Sequence, residues 1–173
     1  VSAERIRDEF LKGIKTAKSV RHFLGLLNKF GLLKWVFLGI NEVDTEFIEE
    51  KDPLILLAFI LRKNSISDLG KKLNELKYSK DEIKAIQFLI ALRELNVENS
   101  FDLKKMQKNS GVSDEQIKKF GNLLALDGEI VNTFINFKLS VSGQDAQKSG
   151  IKPGPEMGRF IKKMELQNFL DLL

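Results

Sequence analysis

The chain has 173 residues, is 43% hydrophobic and contains no cysteine. The absence of cysteine excludes a disulfide framework, a thiolate nucleophile and a zinc–thiolate site, and it favours a reducing, cytoplasmic setting. No apolar run approaches the ~20 residues that cross a bilayer, so we expect no membrane partner. Few residues alternate in the manner of strands, and the pattern predicts an all-α protein.

The net charge of +4 is distributed unevenly along the chain. Residues 1–34 hold eight Lys or Arg and three acids, a net of +5, so the remainder sums to −1. A basic segment on a nearly neutral body is the usual footprint of a protein that binds a phosphate backbone. A solvated helix face would carry the same charges, and charge alone leaves both interpretations open.

Two helices are predicted in this basic segment. Ser2 is a good N-cap for the first helix, in which apolar residues recur every four positions. The second helix spans residues 20–30 and stops at Gly31. Its predicted inward residues are Phe23, Leu24, Leu27 and Phe30. The apolar connection that follows should lie on the core, with Trp35 as a packing residue rather than a base-stacking platform.

The middle of the chain predicts a helical body. Residues 42–52 are acidic and are expected to form a solvated loop, because no calcium-binding spacing is present. Residues 53–61 are almost wholly apolar and are expected to form a buried central helix. Further helices should begin at Ser65, at a capping box opened by Ser79, and at a second capping box opened by Ser113. A break or kink is expected at Gly128 before one more apolar face.

The last forty residues carry the most specific pattern. A strand-like run at Leu139 and Val141 precedes one helical turn, which should stop at Gly150. Gly154 and Pro155 then suit the cap and first position of a new helix. Gly158 leaves room for a backbone or phosphate to approach, and cations surround the turn.

This pattern resembles the tail of bacterial-type tRNA nucleotidyltransferases, the CCA-adding enzymes, and of their poly(A) polymerase relatives. Those proteins carry a Gly-Asp pair, a spacer and a GI-x-PGP-x-(I/M)G sequence. The matching residues are Gly143, Asp145, Gly150, Ile151, Pro153, Gly154, Pro155, Met157 and Gly158. Residues 2–12, 26–33, 52–63 and 73–86 are similar to the family's segments before the tail. The resemblance implies a helical neck and body over residues 1–137 and a small helical tail over residues 138–173.

The resemblance covers essentially the whole chain, but only the C-terminal half or so of a family enzyme. The family's chemistry lies in a head with paired aspartates and a Glu-Asp-x-x-Arg motif, and neither motif occurs here. Mg²⁺, CTP and ATP would be used by that head, either covalently linked or encoded separately. The single histidine, His22, completes no catalytic set. We therefore expect this chain alone to transfer no nucleotide; the head decides whether the family enzyme adds CCA, CC, A or poly(A).

Charge and resemblance together predict tRNA as the partner. The N-terminal cation set comprises Lys12, Lys15, Lys18 and Arg21. The tail cation set comprises Lys148, Lys152, Arg159, Lys162 and Lys163, with Gly154 as the helix cap beside them. The alternative is a stand-alone helical module that binds proteins and has no RNA role, in which the tail motif serves folding alone.

Overall fold

The computed structural model describes all 173 residues, and the fold is all-α, as predicted. Helices take up 67% of the chain and no strand is present. The helices are α1 Ala3–Thr16, α2 Val20–Lys29, α3 Leu33–Val36, α4 Pro53–Leu61, α5 Ile66–Glu75, α6 Lys80–Ala91, α7 Ser100–Ser110, α8 Asp114–Leu123, α9 Gly128–Asn136, α10 Gly143–Lys148 and α11 Pro155–Leu172, with a 3-10 turn at Leu92–Glu94. None of them combines the length and the apolar character needed to cross a bilayer.

The chain forms two compact units. The first contains Val1–Ala91 and Ser110–Val112, and the second contains Leu92–Asn109 and Ser113–Leu173. The division predicted after residue 137 falls inside the second unit, where α11 packs on both α9 and α10.

Helix α4 forms the centre of the first unit, as its apolar sequence predicts. Asp52 caps it by accepting hydrogen bonds from the amides of Leu54 and Ile55, and Pro53 occupies the first position. Seven of its nine residues are buried, and it packs mainly on α6. The capping box that begins α6 is present, because Ser79 and Glu82 each accept the other's backbone N–H.

Helices α1 and α2 approach each other closely at Gly13. A Cβ at this position would lie 2.3 Å from the Phe23 ring, so only glycine permits the contact. Ser2 caps α1, and Phe10 and Ile14 are buried as expected. Ser19 caps α2 by accepting from the His22 amide.

Two aromatic residues predicted to pack inward are exposed instead. Phe30 is 68% exposed, because α2 ends at Lys29 and the positive φ of Gly31 turns the chain away from the apolar face. Trp35 is 55% exposed, because the inward positions of its short helix belong to Leu33 and Val36. The Phe30 prediction was wrong because the apolar spacing of α2 does not continue into the turn at Gly31, and the Trp35 prediction was wrong because Trp35 lies on the exposed side of α3.

The second unit builds its core from α7, α8, α9 and α11. The Ser113 capping box opens α8 as predicted. The break expected near Gly128 is present: Ala125 has a positive φ of 51°, and Asp127 caps α9. The buried aromatic residues of this core are Phe120, Phe134, Phe137 and Phe169. Helix α7 was not predicted.

A carboxylate with a side chain only 8% exposed ties the acidic loop of the first unit to the two residues that follow α4. Asp44 lies 2.8 Å from Arg62 and 3.1 Å from Lys63, and it accepts the Glu46 amide. The Glu46 hydrogen bond, with help from Lys63 and Arg62, lowers the pKa of Asp44 from its ordinary value near 3.8. An acid with a lowered pKa stabilises the fold at pH values above its ordinary pKa. This stabilisation is lost as the pH falls through the folded-state pKa.

We therefore expect the urea midpoint of an Asp44→Asn variant to lie below that of the wild type at about pH 6. The difference should shrink at about pH 3, because this is below the ordinary pKa near 3.8 and the carboxylate of the unfolded wild-type chain is then protonated, which favours unfolding. An equal difference at both pH values would show that the ion pairs do not supply the stability.

Candidate nucleic-acid interface

The N-terminal cation set surrounds the junction of α1 and α2. Lys12 and Lys15 lie on the second half of α1, Lys18 lies in the connection, and Arg21 lies in the first turn of α2. All four are exposed, and none forms an ion pair. Their charges are therefore available to a phosphate ligand.

The N-terminus of α2 is already occupied by an anion. The Glu49 carboxylate accepts hydrogen bonds from the Val20 amide at 2.7 Å, the Ser19 hydroxyl at 2.8 Å and the Arg21 amide at 3.3 Å. These bonds, led by that from Val20, lower the pKa of Glu49. A phosphate at this helix end would meet the Glu49 charge, so Lys12, Lys15 and Lys18 form the part of the set most open to an anion.

The segment from Ser142 to Pro155 has the predicted helical turn, the stop at Gly150 and the new helix. Ser142 and Asp145 form a capping box that begins α10, and the hydrogen bonds from Ser142 lower the pKa of Asp145. Gly150 ends the turn with a φ of 81°, as expected from its position. Gly154, at a φ of 148°, precedes Pro155 at the first position of α11. The strand-like run predicted at Leu139 and Val141 was wrong, because these residues form no strand.

Most motif residues therefore have a role in the fold itself. Gly143 shows this most directly: a Cβ there would lie 3.3 Å from the Met157 sulfur, so the glycine lets α10 pack tightly on α11. Gly150 and Gly154 adopt backbone conformations that disfavour other residues.

Gly158 is different, because nothing in the fold requires a glycine there. A Cβ at this position would meet no atom within 4 Å. Glycine inside a helix costs about 1 kcal/mol relative to alanine. Gly158 lines a surface groove of about 610 Å³ in the second unit, together with Phe101, Lys105 and Lys108 of α7. These two exposed lysines were missed in the sequence because α7 was missed.

Four members of the tail cation set are exposed and form no ion pair: Lys148, Lys152, Arg159 and Lys163. The fifth member, Lys162, is half-buried and donates to Asp102 at 2.7 Å. A phosphate would have to compete with this carboxylate for Lys162. Arg159 and Lys163 are four residues apart on α11 and so share one face. No side chain caps the N-terminus of α11.

Two buried ionisable side chains, Glu165 and Lys104, join separate segments of the second unit through hydrogen bonds to backbone groups. Glu165 is fully buried and accepts the amides of Ser140 and Val141, both at 2.6 Å. Lys104 donates to the carbonyl oxygens of Phe134 and Ile135 at the end of α9, and burial lowers its pKa. Glu165 could have been found from the sequence, because an acid four residues from Phe169 interrupts an apolar stripe.

No group of three or more His, Cys, Asp or Glu is placed to hold a metal ion. Comparison with family models, curated proteins and solved structures finds no match for this chain. The family resemblance therefore rests on the tail motif between Gly143 and Gly158 and on the similar segments before it.

Proposed function

We propose that this chain is the tRNA-binding portion of a tRNA nucleotidyltransferase-like protein. The observation that carries the proposal is the exposure of eight cations without acid partners: all four of the N-terminal cation set and four of the five in the tail cation set, Lys162 being the exception. Exposed cations that are not neutralised by neighbouring acids can replace the counterions of a phosphate backbone. The match of the tail residues to the family motif supports tRNA as the nucleic acid.

The tail is suited to contact backbone and shape rather than bases. Proteins that read single strands stack successive bases on exposed aromatic rings. No aromatic residue is among the large exposed hydrophobic residues of the second unit, and the single tyrosine, Tyr78, is buried in the first. Gly158 supports the same contact, because a bare helix turn lets a sugar–phosphate backbone approach closely.

Nucleotide addition belongs to a head domain under this proposal. The present chain would hold the tRNA while the head supplies the paired aspartates, Mg²⁺ and the CTP or ATP site. The two-metal chemistry of nucleotidyl transfer requires such a carboxylate pair.

Filter binding of tRNA at two salt concentrations tests the proposal. We expect clear binding at about 50 mM salt and a loss of roughly 100-fold or more by about 200 mM, because each phosphate contact releases counterions. Absence of binding at the lower salt would contradict the proposal and favour the protein-interaction module. An affinity independent of salt would exclude phosphate contacts as its source.

A further inference from the structure

Exposed apolar side chains cluster in one short segment of the first unit. Apart from Val1, its exposed large hydrophobic residues all lie between positions 26 and 38: Leu26, Phe30, Leu32, Trp35 and Leu38. Scattered apolar residues are normal on a surface, but a contiguous group marks a contact site. None of these residues belongs to either cation set.

This segment borders a groove enclosed by α1, α2 and α3. The groove has a volume of about 640 Å³, within the range of ligand-binding clefts. Its apolar wall is formed by Ile6, Phe10, Phe23, Leu27, Leu32 and Trp35. Such a volume accommodates several apolar side chains of a partner.

The walls of the groove favour a helix as the occupant. They are made of helices, whose backbone groups are bonded internally, so the groove offers no strand edge to an extended peptide. An extended segment buried there would leave its own N–H and C=O groups without partners. A helix satisfies those groups internally and presents only its apolar face.

Cations at and near the groove favour a bound helix with acidic residues along its flanks. Arg5 lines the groove, and the Lys34 ammonium lies 5.6 Å from the centre of the Trp35 ring. Outside the lining of the groove, the Lys29 ammonium lies 5.8 Å from the ring of Phe30. None of these three cations forms an ion pair, and Glu9 is the one acid among the lining residues.

We propose that this groove binds an amphipathic helix of a partner protein, with an apolar stripe and acidic residues along its flanks. A second copy of this chain is disfavoured, because it would bring two segments of net charge +5 together. The site goes beyond the proposed RNA binding: its apolar wall is separate from the cations assigned to phosphate, so the two activities can be tested independently.

Trp35 is the only tryptophan and lines the groove, so its fluorescence reports occupancy directly. The probe is a tryptophan-free helical peptide of about 18 residues, with Leu at i, i+4, i+7 and i+11 and Glu on both flanks. Titration of the chain with this peptide should give a saturable blue shift of the Trp35 emission, and the affinity for the peptide should fall as salt is added. The same peptide with Lys in place of Glu should bind at least about tenfold more weakly.

Leu32→Asp and Leu38→Asp form a matched pair for this titration. Leu32 lines the groove and is 46% exposed, whereas Leu38 lies outside it and is 58% exposed. We expect Leu32→Asp to weaken peptide binding by about tenfold or more and Leu38→Asp by less than about twofold. Thermal unfolding checks that both variants are folded. If Leu32→Asp melts at a lower temperature than the wild type, Leu32→Ala replaces it, and this variant should also weaken peptide binding.

Several results would overturn the proposal: no saturable shift, equal binding of the acidic and basic peptides, or equal effects of the two variants. A Trp35 shift that depends only on the chain's own concentration would assign the groove to a second copy. A shift with tRNA but not with the peptide would assign it to RNA. Filter binding of tRNA by Leu32→Asp should remain at the wild-type value, which separates a failure here from a failure of RNA binding.

Discussion

Replacing Glu165 with alanine should lower the free energy of unfolding by about 3 kcal/mol, because two hydrogen bonds to a charged acceptor are removed. The carboxylate is fully buried on α11 and accepts the amides of Ser140 and Val141. Without it, the extended segment before α10 keeps only the longer hydrogen bond from Asn168 of α11 to the Ser140 hydroxyl, at 3.4 Å. Urea unfolding followed by circular dichroism measures the effect.

Glu156→Ala is the matched control, because Glu156 is an exposed acid in the first turn of the same helix. Only its interaction with the helix dipole is removed, at a cost of at most about 1 kcal/mol. Glu165→Gln keeps an acceptor oxygen, so its free energy of unfolding should lie between those of the Glu165→Ala and Glu156→Ala variants. Equal stability of the Glu165→Ala and Glu156→Ala variants would show that the buried carboxylate does not hold the tail together.

A triple Lys152/Arg159/Lys163→Ala variant should bind tRNA at least about tenfold more weakly at low salt. Its plot of log affinity against log salt should be less steep by about one unit for each phosphate that the variant no longer binds. These three side chains are exposed and have no acid partner, so their removal should leave the melting temperature nearly unchanged. Lys162 is left in place because its removal would also break the pair with Asp102.

A second triple variant, Lys71/Lys84/Lys118→Ala, removes the same charge from exposed positions that lie outside both cation sets and form no ion pair. It should reduce tRNA affinity much less, which separates local contact from net charge. Unchanged affinity in a folded tail variant would leave the tail as a structural cap. The RNA contacts would then be assigned to the N-terminal cation set: Lys12, Lys15, Lys18 and Arg21.

Several helix starts were predictable because a local capping rule marks them. Ser2, Ser79 and Ser113 cap helices through partners three residues away, so the signal and the structure lie in the same short window. Gly150 and Gly154 were found for a similar reason, since their turn requires backbone angles that few other residues adopt.

Features that depend on distant partners were not predictable from these patterns. Lys162 meets Asp102 across 60 residues of sequence, and Lys104 meets Phe134 across 30. The apolar spacing of residues 20–30 also gave no sign that Phe30 would leave the core, because the spacing does not show that α2 ends at Lys29 and that Phe30 lies in the turn after it.

Competition between tRNA and an unstructured RNA of the same length tests the central claim most directly. The purified chain, bound to labelled tRNA at low salt, is titrated with either unlabelled RNA. If the cation sets recognise the backbone of a folded RNA, unlabelled tRNA should displace the labelled tRNA at concentrations at least about tenfold lower than those needed of the unstructured RNA. Equal competition by the two RNAs would contradict recognition of tRNA shape.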